Sequence, residues 1–259
     1  MILTMDIGNT NIKTALFEGA EMKCYWRIST NKMYTSDEYG ILLTGMFGHE
    51  GMSMDQVEGI IVSSVVPTIN FTIDHMCNSY FHKTPMFLAP GLRTGINIRY
   101  ENPRELGSDR IANAVAAYSE YGGPVIFIDF GTATTFGVVD EKGSFLGGSI
   151  FPGIKLASEA LSTGTAKLPR FELGKPETVI GRTTLANLQS GMFYGYVGML
   201  LHIVNKIKQE LGKPATVIAT GGMAQMLADE THVIDHVDGL LTLKGLRLIY
   251  ERNQIKDTK

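Results

Sequence analysis

The sequence predicts an α/β protein built from two similar domains, each with a mixed β-sheet and flanking helices. Residues 1–17 and residues 125–140 each contain two apolar stretches joined by a turn of the form Asp-x-Gly. After each segment, stretches of strand length alternate with stretches of helical periodicity. A Gly-Gly-Pro break at residues 122–124 separates the halves. This repetition predicts two duplicated domains, residues 1–120 and 121–259, with a cleft between them.

The two repeated turns have the composition of ligand-binding turns. Glycine lets the backbone approach a ligand closely, and threonine hydroxyls beside free turn N–H groups suit phosphate oxygens. A carboxylate at the end of a strand suits a cation. A single such turn is usual for an ordinary hairpin, whereas two at matching positions favour a shared role in which both face one polyphosphate. The matching residues are Asp6 and Asp129, Gly8 and Gly131, and Leu16 and Val139.

In the first half, the hairpin is followed by a third strand that completes a meander, and then by alternating helices and strands. Ser36 is a candidate cap for the first helix, since Asp37 and Glu38 follow it. The last helix is predicted from its alanine content. The predicted strands are residues 23–29, 57–63 and 86–88, and the predicted helices are residues 35–47, 70–81 and 111–118.

The second half repeats this order after its own hairpin. Thr183 or Thr184 is the candidate cap of the longest helix, and Gly212 with Pro214 ends it. The predicted strands are residues 144–150, 216–220 and 232–234, and the predicted helices are residues 152–161, 185–211, 223–229 and 239–252.

Composition restricts the function classes. The chain has 259 residues, 44% of them apolar, a net charge of −3 and a pI near 6.1, so no footprint for nucleic acid or an anionic membrane is present. Two cysteines without metal-like spacing fit a reducing cytosol. No signal peptide is recognisable, and the apolar residues 191–207 are too few and too polar for a membrane span. We therefore expect a cytoplasmic protein.

Three motifs, in this order and spacing, resemble the signature motifs of type III pantothenate kinases. They are Asp6-Ile-Gly-Asn-Thr-Asn, Gly107-Ser-Asp-Arg110 and Asp129-Phe-Gly-Thr-Ala-Thr-Thr135. The resemblance extends over nearly the whole chain and includes residues 63–67, 146–153, 165–169 and 180–184. One departure is Ser108, where alanine is common in the family.

The resemblance implies a fold and an activity. The family belongs to the superfamily of acetate and sugar kinases, heat-shock chaperones and actin, whose duplicated domains are ribonuclease H-like, with ATP bound in the cleft between them. Its members phosphorylate pantothenate with ATP to 4'-phosphopantothenate, the first step of coenzyme A biosynthesis. They use magnesium with ATP, need a monovalent cation, either potassium or ammonium, and are homodimers.

The resemblance also implies residue roles. Asp109 is the catalytic base, and Asp129 is the ligand of the monovalent cation; without the family, Asp129 could equally be a second magnesium ligand. Asp6 is a candidate magnesium ligand. The implied ATP-binding residues are Asp6, Ile7, Gly8, Asn9, Thr10, Asn11, Ile12, Lys13 and Thr132. The implied substrate-binding residues are Tyr100, Gly107, Ser108, Asp109, Arg110 and Thr184.

Local sequence alone leaves simpler explanations open for several of these residues. Asp109 could be only a helix cap and Arg110 a surface charge. Tyr100 could be a half-buried loop residue, and Thr184 a helix cap that also presents its hydroxyl to a ligand. An aspartate with a pKa of about 3.9 is a weak base for an alcohol, but it suffices if the proton leaves late in a loose transition state.

Two other functions remain open at this point. One is a related kinase with a sugar or acetate as acceptor, and the other is a regulatory protein that keeps the fold but acts by binding partners. Intact Asp6, Asp109 and Asp129 argue against a purely regulatory role. Two further patterns are noted: a glycine face at Gly191, Gly195 and Gly198, expected to pack at a dimer or interdomain contact, and two histidines, His232 and His236, expected to be unrelated.

Overall fold

The computed structural model describes residues Met1–Gln254, which form two compact units. The first unit comprises Met1–Ser119 together with the C-terminal segment that begins at Leu240, and the second comprises Glu120–Gly239. None of the helices within this part of the chain has the length and apolar composition that a membrane span requires.

The secondary structure follows the predicted order of strands and helices, except for the strand Asn97–Ile98, which was not predicted, and for the position of the last strand. The strands are β1 (Ile2–Ile7), β2 (Asn11–Glu18), β3 (Glu21–Ser29), β4 (Gly59–Ser64), β5 (Met86–Phe87), β6 (Asn97–Ile98), β7 (Val125–Phe130), β8 (Ala133–Val139), β9 (Ser144–Pro152), β10 (Thr216–Gly221) and β11 (His236–Val237). The α-helices are α1 (Ser36–His49), α2 (Asn70–Met76), α3 (Ser108–Tyr121), α4 (Ile154–Thr163), α5 (Thr184–Leu211), α6 (Ala224–Thr231) and α7 (Leu241–Gln254).

The two units share one sheet topology, which confirms the predicted duplication. Strands lie in the order β3-β2-β1-β4-β5 in the first unit and β9-β8-β7-β10-β11 in the second. In each, the first three strands are antiparallel and the first strand pairs in parallel with the fourth. Both sheets are therefore mixed, with helices on their faces, as the fold class requires.

One predicted correspondence between the halves is wrong by one residue. The first turn has three residues, 8–10, whereas the second has two, 131–132. The register of the second strand therefore shifts: Leu3 pairs with Leu16, and Ile126 pairs with Val138. The counterpart of Leu16 is thus Val138 and not Val139.

The sheet of the first unit has helices on both faces. Leu3, Met5 and Ile7 of β1 form one apolar cluster with residues of α1 and α2, including Leu43 and Ile73. On the opposite face, strand residues Ala15, Phe17 and Ile61 form a cluster with residues of α3 and α7. The side of the sheet that meets α3 is the side that carries Asp6, because alternate residues of a strand share a face.

The C-terminal helix corrects the predicted domain division. We expected residues 239–252 to belong to the second domain, but α7 belongs to the first unit. Leu243, Leu246 and Ile249 of α7 are almost wholly buried in the cluster with Phe17 and Ile61. The division near Glu120 lies close to the predicted boundary. The C-terminal helix is assigned differently because its apolar face is buried against the first sheet.

In the second unit, three helices pack on one face of the sheet. Ile128 and Phe130 of β7 and Val217 of β10 form one apolar cluster with residues of α4, α5 and α6. Asp129 alternates with Ile128 and Phe130, so its side chain lies on the other face. The strand-end carboxylate therefore lies on the face of the sheet opposite to these three helices.

Several predicted element boundaries differ from the structure for local reasons. Thr35, and not Ser36, caps α1: its hydroxyl accepts a hydrogen bond from the Glu38 N–H at 3.3 Å, and Glu38 in turn accepts from the Thr35 N–H at 2.7 Å. The predicted strand at residues 232–234 is wrong, because His232 ends α6 in a left-handed conformation with φ 51°. The strand there is β11, which pairs in parallel with β10.

Substitution of Gly245 tests the placement of α7. A Cβ atom at Gly245 would overlap the carbonyl oxygen of Ala112 in α3. We expect Gly245→Ala to lower the free energy of unfolding by about 1–3 kcal/mol, because two close-packed backbones must separate. The matched control is Gly45→Ala on the exposed side of α1, where a Cβ meets no atom of the described residues within 4 Å. It should leave stability unchanged or raise it by up to about 1 kcal/mol. Equal effects of both changes in urea denaturation would contradict the packing.

Candidate active site

In the first unit, a carboxylate and a hydroxyl lie side by side at the ends of two parallel strands. Asp6 of β1 is in register with Ser63 of β4 on one side and with Lys13 of β2 on the other. In-register neighbours share a face of the sheet, with Cβ atoms about 5 Å apart. Asp6 is only 8% exposed. Lys13, Asp6 and Ser63 therefore form a polar row at the end of the sheet face that packs against α3.

Helix α3 is joined to this row by serine hydroxyls. The Oγ atoms of Ser108 and Ser63 are 2.9 Å apart, and Ser108 Oγ accepts a hydrogen bond from the Ser64 N–H at 3.1 Å. The first turn of α3 is thereby held at the end of β4, the strand next to Asp6. The N-terminus of a helix favours anions, because its N–H groups and its dipole point outward.

Asp109 lies in the first turn of α3 but is not its cap. The Ile111 N–H donates to the Gly107 carbonyl at 3.2 Å, so Gly107 is the cap residue and the helix starts at Ser108. Asp109 Oδ1 accepts from the Arg110 N–H at 2.8 Å. A Cβ at Gly107 would overlap Asp109 Oδ1, so glycine leaves room for this carboxylate. The helix begins three residues before the predicted start at Ile111, and the explanation of Asp109 as an N-cap is wrong.

Arg110 is buried beside an aromatic ring. It is 6% exposed, and its guanidinium carbon lies 6.0 Å from the centroid of the Tyr100 ring. This distance is within reach of a cation–π interaction. The alternative explanation of Arg110 as a surface charge is therefore wrong. Tyr100, Asp109 and Arg110 lie together in the first unit, so an aromatic face, a carboxylate and a cation occur in one place.

The turn of the first hairpin has a fixed backbone and exposed side chains. The Gly8 N–H donates to the Asn11 carbonyl at 3.0 Å. Thr30 supports the turn twice: its hydroxyl donates to the Gly8 carbonyl at 2.6 Å, and its N–H donates to the Thr10 carbonyl at 3.0 Å. Asn9 and Thr10 are exposed. The turn thus presents exposed polar side chains on a backbone that three hydrogen bonds hold in place.

Two of the predicted ATP-binding residues have side chains that lie in the apolar core. Ile7 and Ile12 are fully buried in the apolar cluster with α1 and α2. They can offer a ligand only backbone groups. Among the predicted substrate-binding residues, Ser108 has a side chain that is already engaged, because its hydroxyl binds Ser63 and the backbone of Ser64.

The second unit repeats the arrangement around Asp129. Asp129 is in register with Thr135 of β8 and with Thr220 of β10. The turn that follows is closed by a hydrogen bond from the Gly131 N–H to the Ala133 carbonyl at 3.1 Å. The Thr132 carbonyl accepts from the Gly153 N–H at 3.0 Å, which joins this turn to the residue before α4. The Thr132 side chain is exposed beside this anchored backbone.

Thr184 is the first residue of α5 and is exposed. The cap is Thr183, whose hydroxyl accepts from the Ala186 N–H at 3.1 Å. The cap role considered for Thr184 is therefore wrong, and its hydroxyl is not used for capping. Further along α5, Tyr196 donates to the Pro152 carbonyl at 2.7 Å. Burial raises the pKa of Tyr196 above its ordinary value.

Asp6 and Asp129 suit cations that take most of their ligands from water and substrate phosphates. Within residues 1–254, no group of three or more His, Cys, Asp or Glu side chains is arranged to hold a metal ion. Magnesium in kinases is bound by substrate phosphates, water and one or two carboxylates, so single strand-end carboxylates such as Asp6 and Asp129 fit this chemistry. The His236 ring lies 5.0 Å from the Tyr121 ring.

Sequence reasoning missed Ser63 and Thr220. Both stand at the end of the fourth strand of their unit, directly beside the repeated aspartate. The available signal was the apolar run that ends in a hydroxyl residue in each half, Ile60-Ile-Val-Ser63 and Val217-Ile-Ala-Thr220. Alignment of the fourth strands, in addition to the hairpins, would have identified the pair.

The contact between α3 and β4 can be tested by a double-mutant cycle. We expect Ser63→Ala and Ser108→Ala to be coupled by about 1 kcal/mol in the free energy of unfolding, because each removes a partner of the other. The control cycle pairs Ser63→Ala with Ser119→Ala, near the opposite end of α3, and should be additive within about 0.5 kcal/mol. Additivity in both cycles would contradict a hydroxyl link.

Comparison with known proteins identifies the family. The sequence profile of the family described as type III pantothenate kinase matches residues 2–206. A type III pantothenate kinase from Brevibacillus brevis is 54% identical over 254 residues, which cover 98% of this chain and 100% of that protein. One from Exiguobacterium is 52% identical over 254 residues, with the same coverage of both chains.

Among solved structures, a conserved protein of Campylobacter jejuni assigned to the Baf family of transcriptional activators matches with a TM-score of 0.62 at 22% identity. The match covers 97% of this chain and 98% of that chain and concerns the fold alone. The full-length relatives and the profile carry the assignment: this chain belongs to the type III pantothenate kinase family.

Proposed function

We propose that this chain transfers the γ-phosphoryl group of ATP to the primary hydroxyl of pantothenate, which gives 4'-phosphopantothenate in the first step of coenzyme A biosynthesis. Two full-length relatives with more than half of their residues identical support this activity. The observation that supports it most directly is the link between Ser108 and Ser63, because it holds Asp109 at the end of the strand next to Asp6. A base and a nucleotide-side carboxylate then share one edge of the sheet.

Asp109 acts as the general base in this proposal. Phosphoryl transfer depends mainly on positioning and charge neutralisation, with the proton leaving late in a loose transition state. A carboxylate of ordinary basicity is sufficient for that role. Its orientation is restrained by the hydrogen bond from the Arg110 N–H and by the space left at Gly107. Asp109 would receive the proton of the pantothenate hydroxyl as the new P–O bond forms.

Arg110 and Tyr100 are proposed to bind the acceptor. Arg110 is buried and lies over the ring of Tyr100, so its charge is poorly hydrated and strongly favours an anion. Pantothenate carries a carboxylate, which fits this cation; the transferring phosphoryl group is the other anion that Arg110 could neutralise. A neutral sugar offers no carboxylate, so binding of the acceptor carboxylate by Arg110 would favour pantothenate over a sugar.

The first hairpin is proposed to bind ATP. Residues 8–11 supply turn N–H groups and side-chain donors, Ile7 and Ile12 supply backbone groups only, and Lys13 supplies a charge beside Asp6. Asp6 is the proposed contact to magnesium, directly or through water. When bound, magnesium neutralises charge on the phosphates. In the second unit, exposed Thr132 is the proposed additional ATP contact.

Asp129 is proposed to hold a potassium or ammonium ion. Its two in-register neighbours, Thr135 and Thr220, carry neutral hydroxyls. One carboxylate with neutral oxygen ligands balances a single positive charge better than a double one. The alternative role of Asp129 as a second magnesium ligand predicts activity that does not respond to potassium. Product formation in potassium and in sodium buffers therefore separates the two roles.

We also propose a homodimer in the cytoplasm. Gly191, Gly195 and Gly198 are exposed on α5, and a Cβ at each has no neighbour within 4 Å among the described residues. Nearby in the sequence, Ile180 is 82% exposed. Exposed Thr184 would then lie near the partner chain and serve an acceptor site close to the dimer contact.

Light scattering tests the dimer. It should give twice the 28.4 kDa chain mass, and a single chain mass would contradict the dimer.

The activity is tested by product analysis. Purified protein is incubated with ATP, magnesium and pantothenate, with a sugar, or with acetate, and the phosphorylated product is identified by mass spectrometry. Phosphopantothenate from pantothenate alone is the expected result. Phosphorylated sugar or acetyl phosphate would favour a related kinase, and absence of any product would favour a regulatory protein.

Substitution of Asp109 tests the proposed base. We expect Asp109→Asn to lower kcat by about 100-fold or more while ATP binding, measured calorimetrically, remains. The matched control is Asp37→Asn, because Asp37 is likewise the second residue of a helix and loses the same interaction with the helix dipole. The control should keep its kcat. Loss of ATP binding together with turnover in Asp109→Asn would count against a role as base.

A further inference from the structure

The hydroxyl of Thr220 is buried and has no partner in the part of the chain that the structure describes. Thr220 is 0% exposed at the end of β10, and its Oγ1 atom has no hydrogen-bond partner within residues 1–254. A buried hydroxyl that has lost its water and gained no partner costs free energy, so such atoms are rare in native structures. The hydroxyl of Thr220 can therefore bind a ligand without losing a contact to the described residues, and its surroundings decide whether it does.

The surroundings of Thr220 indicate the charge of that ligand. Thr220 and Thr135 flank Asp129 in register on adjacent strands, so the three side chains form one row on one face of the sheet. The row presents a carboxylate between two hydroxyls. All three groups offer oxygen atoms, and only one carries a charge.

The first unit provides an internal comparison. Ser63 occupies the position of Thr220, since it is in register with Asp6 at the end of the fourth strand. Ser63 is equally buried, but its Oγ atom lies 2.9 Å from Ser108 Oγ. The same position thus has a protein partner in one unit and, among the described residues, none in the other. The difference indicates that the second position is kept for a group that does not belong to this chain.

We propose that Thr220 Oγ1 is a ligand of the monovalent cation assigned to Asp129, a step that rests on the proposed function. Oxygen ligands suit potassium, and both the hydroxyl and the carboxylate accept hydrogen bonds from ammonium. The single carboxylate of the row matches one positive charge. Thr135, on the other side of Asp129, extends the row, whereas Thr220 is the member whose buried hydroxyl has no partner among the described residues.

Three variants separate this role from a structural one. Thr220→Val removes the hydroxyl at nearly constant volume, and Thr220→Ser keeps it. The matched control is Thr134→Val, because Thr134 is also buried, 1% exposed, with an Oγ1 atom that has no partner among the described residues. Thr134 is in register with Phe130 and therefore lies on the opposite face from Asp129.

The readout is the melting temperature of the substrate-free protein during titration with potassium chloride against choline chloride at constant ionic strength. A ligand that binds the folded state raises the melting temperature. Wild type, Thr220→Ser and Thr134→Val should respond at the same potassium concentration. Thr220→Val should require about tenfold more potassium or more, or show no response. Without potassium it should melt at or above the wild-type temperature, because its unpaired hydroxyl is gone.

An unchanged potassium response of Thr220→Val, or a wild type that responds to neither potassium nor ammonium, would overturn the proposal. If Thr220→Val does not fold, Thr220→Ala provides the same comparison. Product formation is measured on the same samples. Phosphopantothenate formed with equal potassium dependence by wild type and Thr220→Val would overturn the role of Thr220 and leave the proposed activity standing. Absence of product with an intact potassium response would overturn the activity alone.

Discussion

The parallel pairing of the first and fourth strands in each unit positions the candidate site. Because parallel strands end at the same edge of a sheet, Asp6 lies beside Ser63 and Asp129 lies beside Thr220. The apolar residues between these polar ends are buried against helices and fix the register, since a slip of one residue would place the carboxylates in the core. The polar rows at the strand ends depend on this register.

The two units differ at the equivalent hydroxyl residue beside the aspartate. In the first unit, Ser63 is bonded to Ser108, and this bond holds the N-terminus of α3, with Asp109 and Arg110, beside the strand end. In the second unit, the same position carries Thr220, whose hydroxyl has no partner within the described residues. One copy thus holds a helix with a candidate base, and we propose that the other binds the monovalent cation.

Features that depend on nearby residues were predictable from the sequence. Both hairpins follow from apolar runs around an Asp-x-Gly turn, and the end of α5 follows from Gly212, which adopts the left-handed conformation with φ 65°. Candidate residues in the turns and at the start of α3 were found through motifs. Their burial was not predictable: Arg110 is exposed in the simplest interpretation of the sequence and buried in the structure.

Features that depend on distant residues were missed. The C-terminal helix packs on the first sheet because Leu243 and Leu246 meet Phe17 and Ile61, which lie far away in the chain. The bond between Ser63 and Ser108 likewise joins residues 45 positions apart. Local periodicity contains no information about such partners, and only the duplicated position of the fourth strand offered an indirect signal.

The central claim, that equivalent aspartates serve different cations, is tested most directly by ATP titration of Asp6→Asn and Asp129→Asn at varied magnesium and potassium concentrations. We expect Asp6→Asn to shift the magnesium dependence of ATP affinity by about tenfold or more and to leave the potassium dependence unchanged. Asp129→Asn should show the reverse. Two variants that shift the same dependence, or an Asp129→Asn variant with an unaltered potassium dependence, would contradict it.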